Sequence, residues 1–368
     1  MEDRGRRTHT GMVSLRATVP DPQAGPEGWL STGADRGVPG DVRSGLGRDM
    51  TKPTFTARTP VDLIALAPVV LGFHPQDSIV LLTFGANHGR QFHARVELPV
   101  DPDDIAAVVQ VLVRPIERHG ITDAAVLIYS DDVEVVHRAA VELVPAIDEA
   151  GCRVIDALRV DDDCYQPALD TDAAPVPYDI SNHEFTVQSV YLGRQALPSR
   201  ADIADQLVGG SETEIEEVRA AAEQARAEGI PAPGKDAAQR RWIRAFIDSW
   251  LASRELASTE ESGVLVHLLE TVELRDVAWE RINQDNCEQM IELWVQLLRR
   301  CPEEFLPAPA ALLGFSAWLA GHGALAWCAV DRCLGEDPDY SLGHLLSKLL
   351  TEAVPPQAWT TRGVGRSA

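Results

Sequence analysis

The chain has 368 residues, 45% of them hydrophobic and 24% charged. That is enough apolar material for a full core, with room for about two domains at roughly 150 residues each. The formal net charge of -23 disfavours a nucleic-acid backbone or an anionic membrane as main partner, because both demand a basic surface.

Residues 1–49 are rich in Gly, Pro, Arg and Asp and show no apolar periodicity. Such a segment cannot offset its ordering entropy by burial. The expectation is a disordered extension, or an over-extended gene start with translation beginning at Met50. From there an α/β domain is expected over 50–160. Thr59, Pro60 and Asp62 suit the start of a helix, and Gly72 suits its left-handed stop. Ser78–Phe84 is a continuous apolar run, hence a buried strand. Gly85–Arg90 has turn chemistry, and Gln91–Leu98 alternates as a hairpin partner would.

Asp101–His119 has helical spacing, with Pro115 expected to bend or break its last turn. Ala124–Tyr129 reads as a strand, Val133–Ala150 as a helix and Cys152–Val160 as a strand. The resulting order, helix-ββαβαβ, predicts a mixed sheet whose last two strands are parallel.

Residues 161–198 are acidic and Pro-rich, and predict an irregular linker or covering loop. An all-α domain is expected over 199–359, followed by a disordered tail over 360–368. Ser211 with Glu214 makes a capping box. Ile230–Lys235 should break the chain, and helices are expected near 236–255, 260–281, 285–300, 307–321, 323–335 and 339–353. The apolar stretch Ala310–Val330 is about long enough for a bilayer. Gly321-His322-Gly323 interrupts it, which favours a buried helical hairpin. Leu313-Gly314, Ala326 and Pro338 fall at tetratricopeptide spacings, but the repeat's large aromatic positions are unmatched and no second copy follows.

The six cysteines, Cys152, Cys164, Cys287, Cys301, Cys328 and Cys333, include no CxxC pair and follow no secretory leader. Neither a disulfide framework nor a zinc site is expected, and the location expected is cytoplasmic.

Two constellations carry candidate chemistry. Ser130, Asp131 and Asp132 follow the strand ending at Tyr129, and Asp161, Asp162 and Asp163 follow the strand ending at Val160. If those strands are parallel neighbours, both groups share the carboxyl edge where open α/β sheets place ligands. Clustered oxygens suit a divalent cation such as Mg²⁺, Mn²⁺ or Ca²⁺. The structural reading is equally plain: a helix cap and a solvated turn. The second constellation is His74, Asp77 and Ser78. Five residues cannot easily fold back into a triad, so Asp77 and Ser78 are expected to satisfy backbone donors at a helix-to-strand joint. Arg240, Arg241 and Arg244 with Trp242, Phe246 and Trp250 make a basic-aromatic helix, read as packed aromatics with a solvated arginine face. No P-loop, GxGxxG, HExxH or GxSxG occurs.

With these residues in view, the chain resembles the actinobacterial family known as domain of unknown function 4192 (DUF4192). The likeness rests on TPVDL (59–63), LGFHPQDSIVLL (71–82), RVELP (95–99), YSDD (129–132), DALRVDD (156–162) and LGRQALPSR (192–200). It continues through the Ala317–Leu342 run and VPPQAW (354–359). The resemblance implies a cytoplasmic actinobacterial protein and supplies no activity, cofactor or catalytic residue. The leading expectation is a non-catalytic binding or regulatory protein whose helical domain meets a protein partner. The alternative is a metal-dependent enzyme or nucleotide-like ligand binder at the acidic edge. Enzyme activity is left open.

Overall fold

The computed structural model describes residues 15–18, 54–85, 91–229 and 236–359. The extension expected at 1–49 therefore lies outside the described residues, except for strand β1 (Leu15–Thr18), which pairs antiparallel with β2 (Thr54–Ala57). Most of the turn expected at Gly85–Arg90, the break at Ile230–Lys235 and the tail after 359 also lie outside them.

Helix α1 (Pro60–Leu71) opens with a reciprocal capping box between Thr59 and Asp62. It stops at Gly72, whose φ of 81° suits a residue without a Cβ. Strands β3 (Ser78–Phe84) and β4 (His93–Glu97) follow, then α2 (Pro102–His119), β5 (Asp123–Tyr129), α3 (Val133–Glu149) and β6 (Arg153–Val160). Two further strands, β7 (Cys164–Pro167) and β8 (Val176–Pro177), complete a mixed six-stranded sheet in the order β4-β3-β5-β6-β7-β8. Only β5 and β6 are parallel.

The sheet is covered on both faces, as the unbroken apolar run of β3 requires. Val80, Leu82 and Phe84 point to one side, where they meet Leu63, Ile64, Leu66 and Ala67 of α1. Ile79 and Leu81 point to the other, where they meet Ile105, Val109 and Leu112 of α2 and Val136, Ala140 and Leu143 of α3. This is the period-two alternation of a strand buried between two layers.

Three expectations change. Pro115 does not break α2, which runs on to His119 and a left-handed Gly120. Pro115 and Ile116 are both buried there, so packing outweighs one missing backbone bond. The stretch from 161 to 198 is not simply irregular. It adds β7, β8 and α4 (Glu184–Tyr191), and its Tyr165, Tyr178, Ile180 and Phe185 pack on the α1 side of the sheet. Strands this short carry too few residues to display a pattern. The helix expected over 260–281 is two, α8 (Thr259–Leu269) and α9 (Val272–Trp279).

The rest is helical: α5 (Arg200–Asp205), α6 (Glu212–Glu228), α7 (Asp236–Ser253), α8, α9, α10 (Cys287–Leu298), α11 (Pro307–Ala320), α12 (Gly323–Glu336) and α13 (Ser341–Thr351). These share one apolar core, and Phe73 from the loop before β3 is part of it. Small residues set the closest approaches. A Cβ on Gly263 of α8 would lie 2.5 Å from the Ala221 Cβ of α6. Helices α11 and α12 form the expected hairpin, turning at Gly321 with φ 86°. Among the described residues no helix is long and apolar enough to cross a membrane.

Candidate functional site

The carboxyl ends of β5 and β6 lie side by side, with Tyr129 opposite Val160. The chain leaves both strands through acidic turns, so the two Asp groups do reach one edge of the sheet. Their side chains are not equivalent. Asp132 caps α3, its Oδ1 accepting from the N–H groups of Glu134 (3.0 Å) and Val135 (3.1 Å). Ser130 Oγ accepts from the Asp132 N–H at 3.2 Å. Asp131 is exposed, and its carboxylate has no partner among the described residues.

In the second turn Asp161 is the structural member. Its Oδ1 accepts from the Asp162 N–H at 2.9 Å, and its carbonyl accepts from the Tyr178 hydroxyl at 2.8 Å. Asp162 and Asp163 are exposed. Burial, together with the nearby charges of Asp162 and Asp161, pushes the Tyr178 phenol up to about 12.

Between the turns sits Arg159, only 7% exposed. Its Nε donates to the Ser130 carbonyl at 3.1 Å, and one terminal nitrogen donates to the Asp131 carbonyl (3.0 Å) and to Asp161 Oδ2 (2.8 Å). The other terminal nitrogen reaches Gln166 Oε1 at 3.4 Å. A planar fork with five donors is suited to binding several oxygens in this way. The guanidinium thus supplies the positive charge at the centre of the acidic edge. Among the described residues, no three His, Cys, Asp or Glu side chains are grouped so that they could hold a metal ion.

The second constellation does not assemble. The His74 N–H donates to the Leu197 carbonyl at 2.9 Å, and the Asp77 carbonyl accepts from the Leu98 N–H at 2.9 Å. Both side chains are exposed, and neither makes a hydrogen bond among the described residues. Asp77 adopts φ 40°, a left-handed value that Asp tolerates better than most residues. Ser78 is fully buried, and its Oγ has no partner among the described residues. The expectation that the Asp77 and Ser78 side chains satisfy backbone donors is therefore corrected: the joint is made by backbone atoms. The reason is orientation, since Ser78 is the first residue of β3 and faces the core.

Ser78 has Tyr129 as its cross-strand neighbour. The Tyr129 hydroxyl is also buried without a partner, and burial drives its phenol far above its ordinary value. Two uncompensated hydroxyls on adjacent strands are unusual, because buried polar groups are normally paired.

Sequence reasoning missed Arg159, Tyr129 and Tyr178. One signal was available for the first: an arginine in an otherwise apolar strand end, two residues before an aspartate.

No match is found among curated proteins or among solved structures. The model of the family described as "Domain of unknown function (DUF4192)" matches residues 60–357. That span contains the whole of α1, both acidic turns and the helices through α13, so the chain belongs to the DUF4192 family.

Proposed function

We propose that this is a non-catalytic binding or regulatory protein of the cytoplasm, whose helical half presents the surface for a protein partner. The observation that carries the reading is the fate of the acidic edge. Asp132 and Asp161 hold turns in place around Arg159, and His74, Asp77 and Ser78 do not meet. Ser130, Asp132 and Asp161 are thus employed as structure, and the His-Asp-Ser set does not assemble. The helical half meanwhile exposes Val208, Leu256, Val272 and Leu345, each about half accessible. All six cysteines are free, which fits a reducing compartment.

The test is affinity capture with the full chain, followed by Val208→Asp, Leu256→Asp, Val272→Asp and Leu345→Asp, each checked for an unchanged melting curve. At least one should weaken capture of a reproducible partner. Retention of that partner by all four would count against the helical surface.

A second reading, a metal-dependent enzyme or nucleotide-like ligand binder at the sheet edge, has its own support. The Tyr129 and Ser78 hydroxyls are buried without partners among the described residues, and Asp131, two residues after Tyr129, and Asp162, two residues after Val160, are both exposed. Thermal stabilisation by Mg²⁺, Mn²⁺ or a nucleotide that disappears in Asp131→Ala would favour this reading over the first.

A further inference from the structure

A cleft of about 280 Å³ lies between α7, α8 and α9 in the helical half. Its floor includes Leu268 and Leu274, both buried. Its polar wall includes Arg240, His267, Thr271 and Glu273. Three of these four have no side-chain partner among the described residues: Arg240, Thr271 and Glu273. Thr271 stands at the N-cap of α9 without making a capping bond. Arg240 and Glu273 carry opposite charges and line one cleft, yet they do not pair with each other. His267 is the exception. Its Nδ1 is 3.0 Å from Glu270 Oε2, and Glu270 is gripped through both oxygens by Arg226 at 2.7 Å. That chain of contacts fixes the imidazole at the cleft wall.

We infer that this cleft binds a small zwitterion of the α-amino acid type. Arg240 takes the carboxylate and Glu273 takes the ammonium group. The volume lies near the lower limit for small-molecule pockets, roughly 300 Å³, so the occupant must be small. Two separated poles of opposite sign favour a ligand with both charges over a simple anion or cation, because each pole repels the ligand the other attracts. The cleft adjoins Val272, one of the exposed positions assigned to the partner surface, but amino-acid binding and partner capture are separate readouts, so each reading can fail without the other.

The test is calorimetric titration of the full chain with the standard L-amino acids at millimolar concentration. The N-acetyl and the amide derivatives of the best binder are then titrated. At least one small amino acid should bind, and removing either charge should weaken it about tenfold or more. Arg240→Gln and Glu273→Gln should each cause a loss of similar size. Both positions are at the surface, and a far-UV melt confirms that the fold is kept. The N-acetyl derivative should lose nothing further in Glu273→Gln, and the amide nothing further in Arg240→Gln, since each pair removes the same contact. Absence of binding by every amino acid overturns the inference, as does binding that is indifferent to both substitutions. Undiminished binding of the N-acetyl or amide form would show a peptide end rather than a free zwitterion, and would overturn it equally.

Discussion

At the residue scale Arg159 has the largest local consequence. Its guanidinium is buried and serves two backbone carbonyls, a carboxylate and an amide oxygen. Replacing it with an apolar residue of similar length leaves those acceptors unpaired in a site that water reaches poorly. Removing one partner of a buried charged network typically costs about 3–5 kcal/mol. Asp161 is only partly shielded, with its side chain 31% exposed, so the lower end applies here. Arg159→Met should therefore lower the unfolding free energy by about 3 kcal/mol, measured by urea denaturation. A loss below about 1 kcal/mol, the typical worth of an exposed pair, would mean that the two turns hold themselves.

At the element scale the start of α1 couples a helix cap to a second helix. The Asp62 carboxylate accepts from the N–H groups of Arg58 (2.6 Å) and Thr59 (3.1 Å), and its Oδ1 lies 3.1 Å from His183 Nε2. His183 is itself the N-cap of α4. Partial burial works against the charged form, but the Arg58, His183 and Thr59 hydrogen bonds outweigh it and hold the carboxyl below its ordinary value of 3.8. With the folded value lower than the unfolded one, the stabilisation is complete above the unfolded value and fades as pH falls through the folded one. Asp62→Ala should cost about 1 kcal/mol at neutral pH. The gap between variant and parent should close as the pH drops below 3.8. Urea melts of both proteins at a series of pH values measure this, and a gap that stays constant into acid would rule out the carboxylate as its source.

At the scale of the whole molecule the two halves are tied at several points. Phe73 leaves the α/β part and is buried in the helical core, 2% exposed. The Leu197 N–H donates to the Gly72 carbonyl and the His74 N–H to the Leu197 carbonyl, each at 2.9 Å. Across the molecule, His119 Nε2 lies 3.1 Å from the Glu352 carbonyl at the end of α13, and Arg118 pairs with the Glu352 side chain at 2.5 Å. Most of the tryptophans, Trp242, Trp250, Trp279, Trp294, Trp318, Trp327 and Trp359, sit in the helical half. Their fluorescence therefore reports the unfolding of that half. Phe73→Ala removes a ring from the helical core although the residue belongs to the other half, and such truncations cost about 3–5 kcal/mol. The fluorescence midpoint in urea should fall accordingly. If only the circular-dichroism signal of the α/β part shifts, Phe73 does not tie the halves together.

Much of this molecule could be read from local pattern. The apolar β3, the helix caps at Thr59 and Ser211 and the α11–α12 hairpin all depend on residues close together in the chain. Capping, turn chemistry and hydrophobic period act over that range. The arrival of both acidic turns at one edge also followed from strand order. What those acids do there did not. Arg159 binds carbonyls 28 and 29 residues away, and no spacing rule connects them. Ser78 and Tyr129 became neighbours through strand pairing across the length of β4 and α2. The cleft between α7, α8 and α9 exists only because three helices pack with Arg240 and Glu273 apart. Most long helices and strands could be read from the chain alone, because capping and hydrophobic period act locally, whereas β7, β8 and α4 could not. Which charges hold turns and which are left without a side-chain partner among the described residues is settled by packing, because it depends on groups brought together from distant parts of the chain.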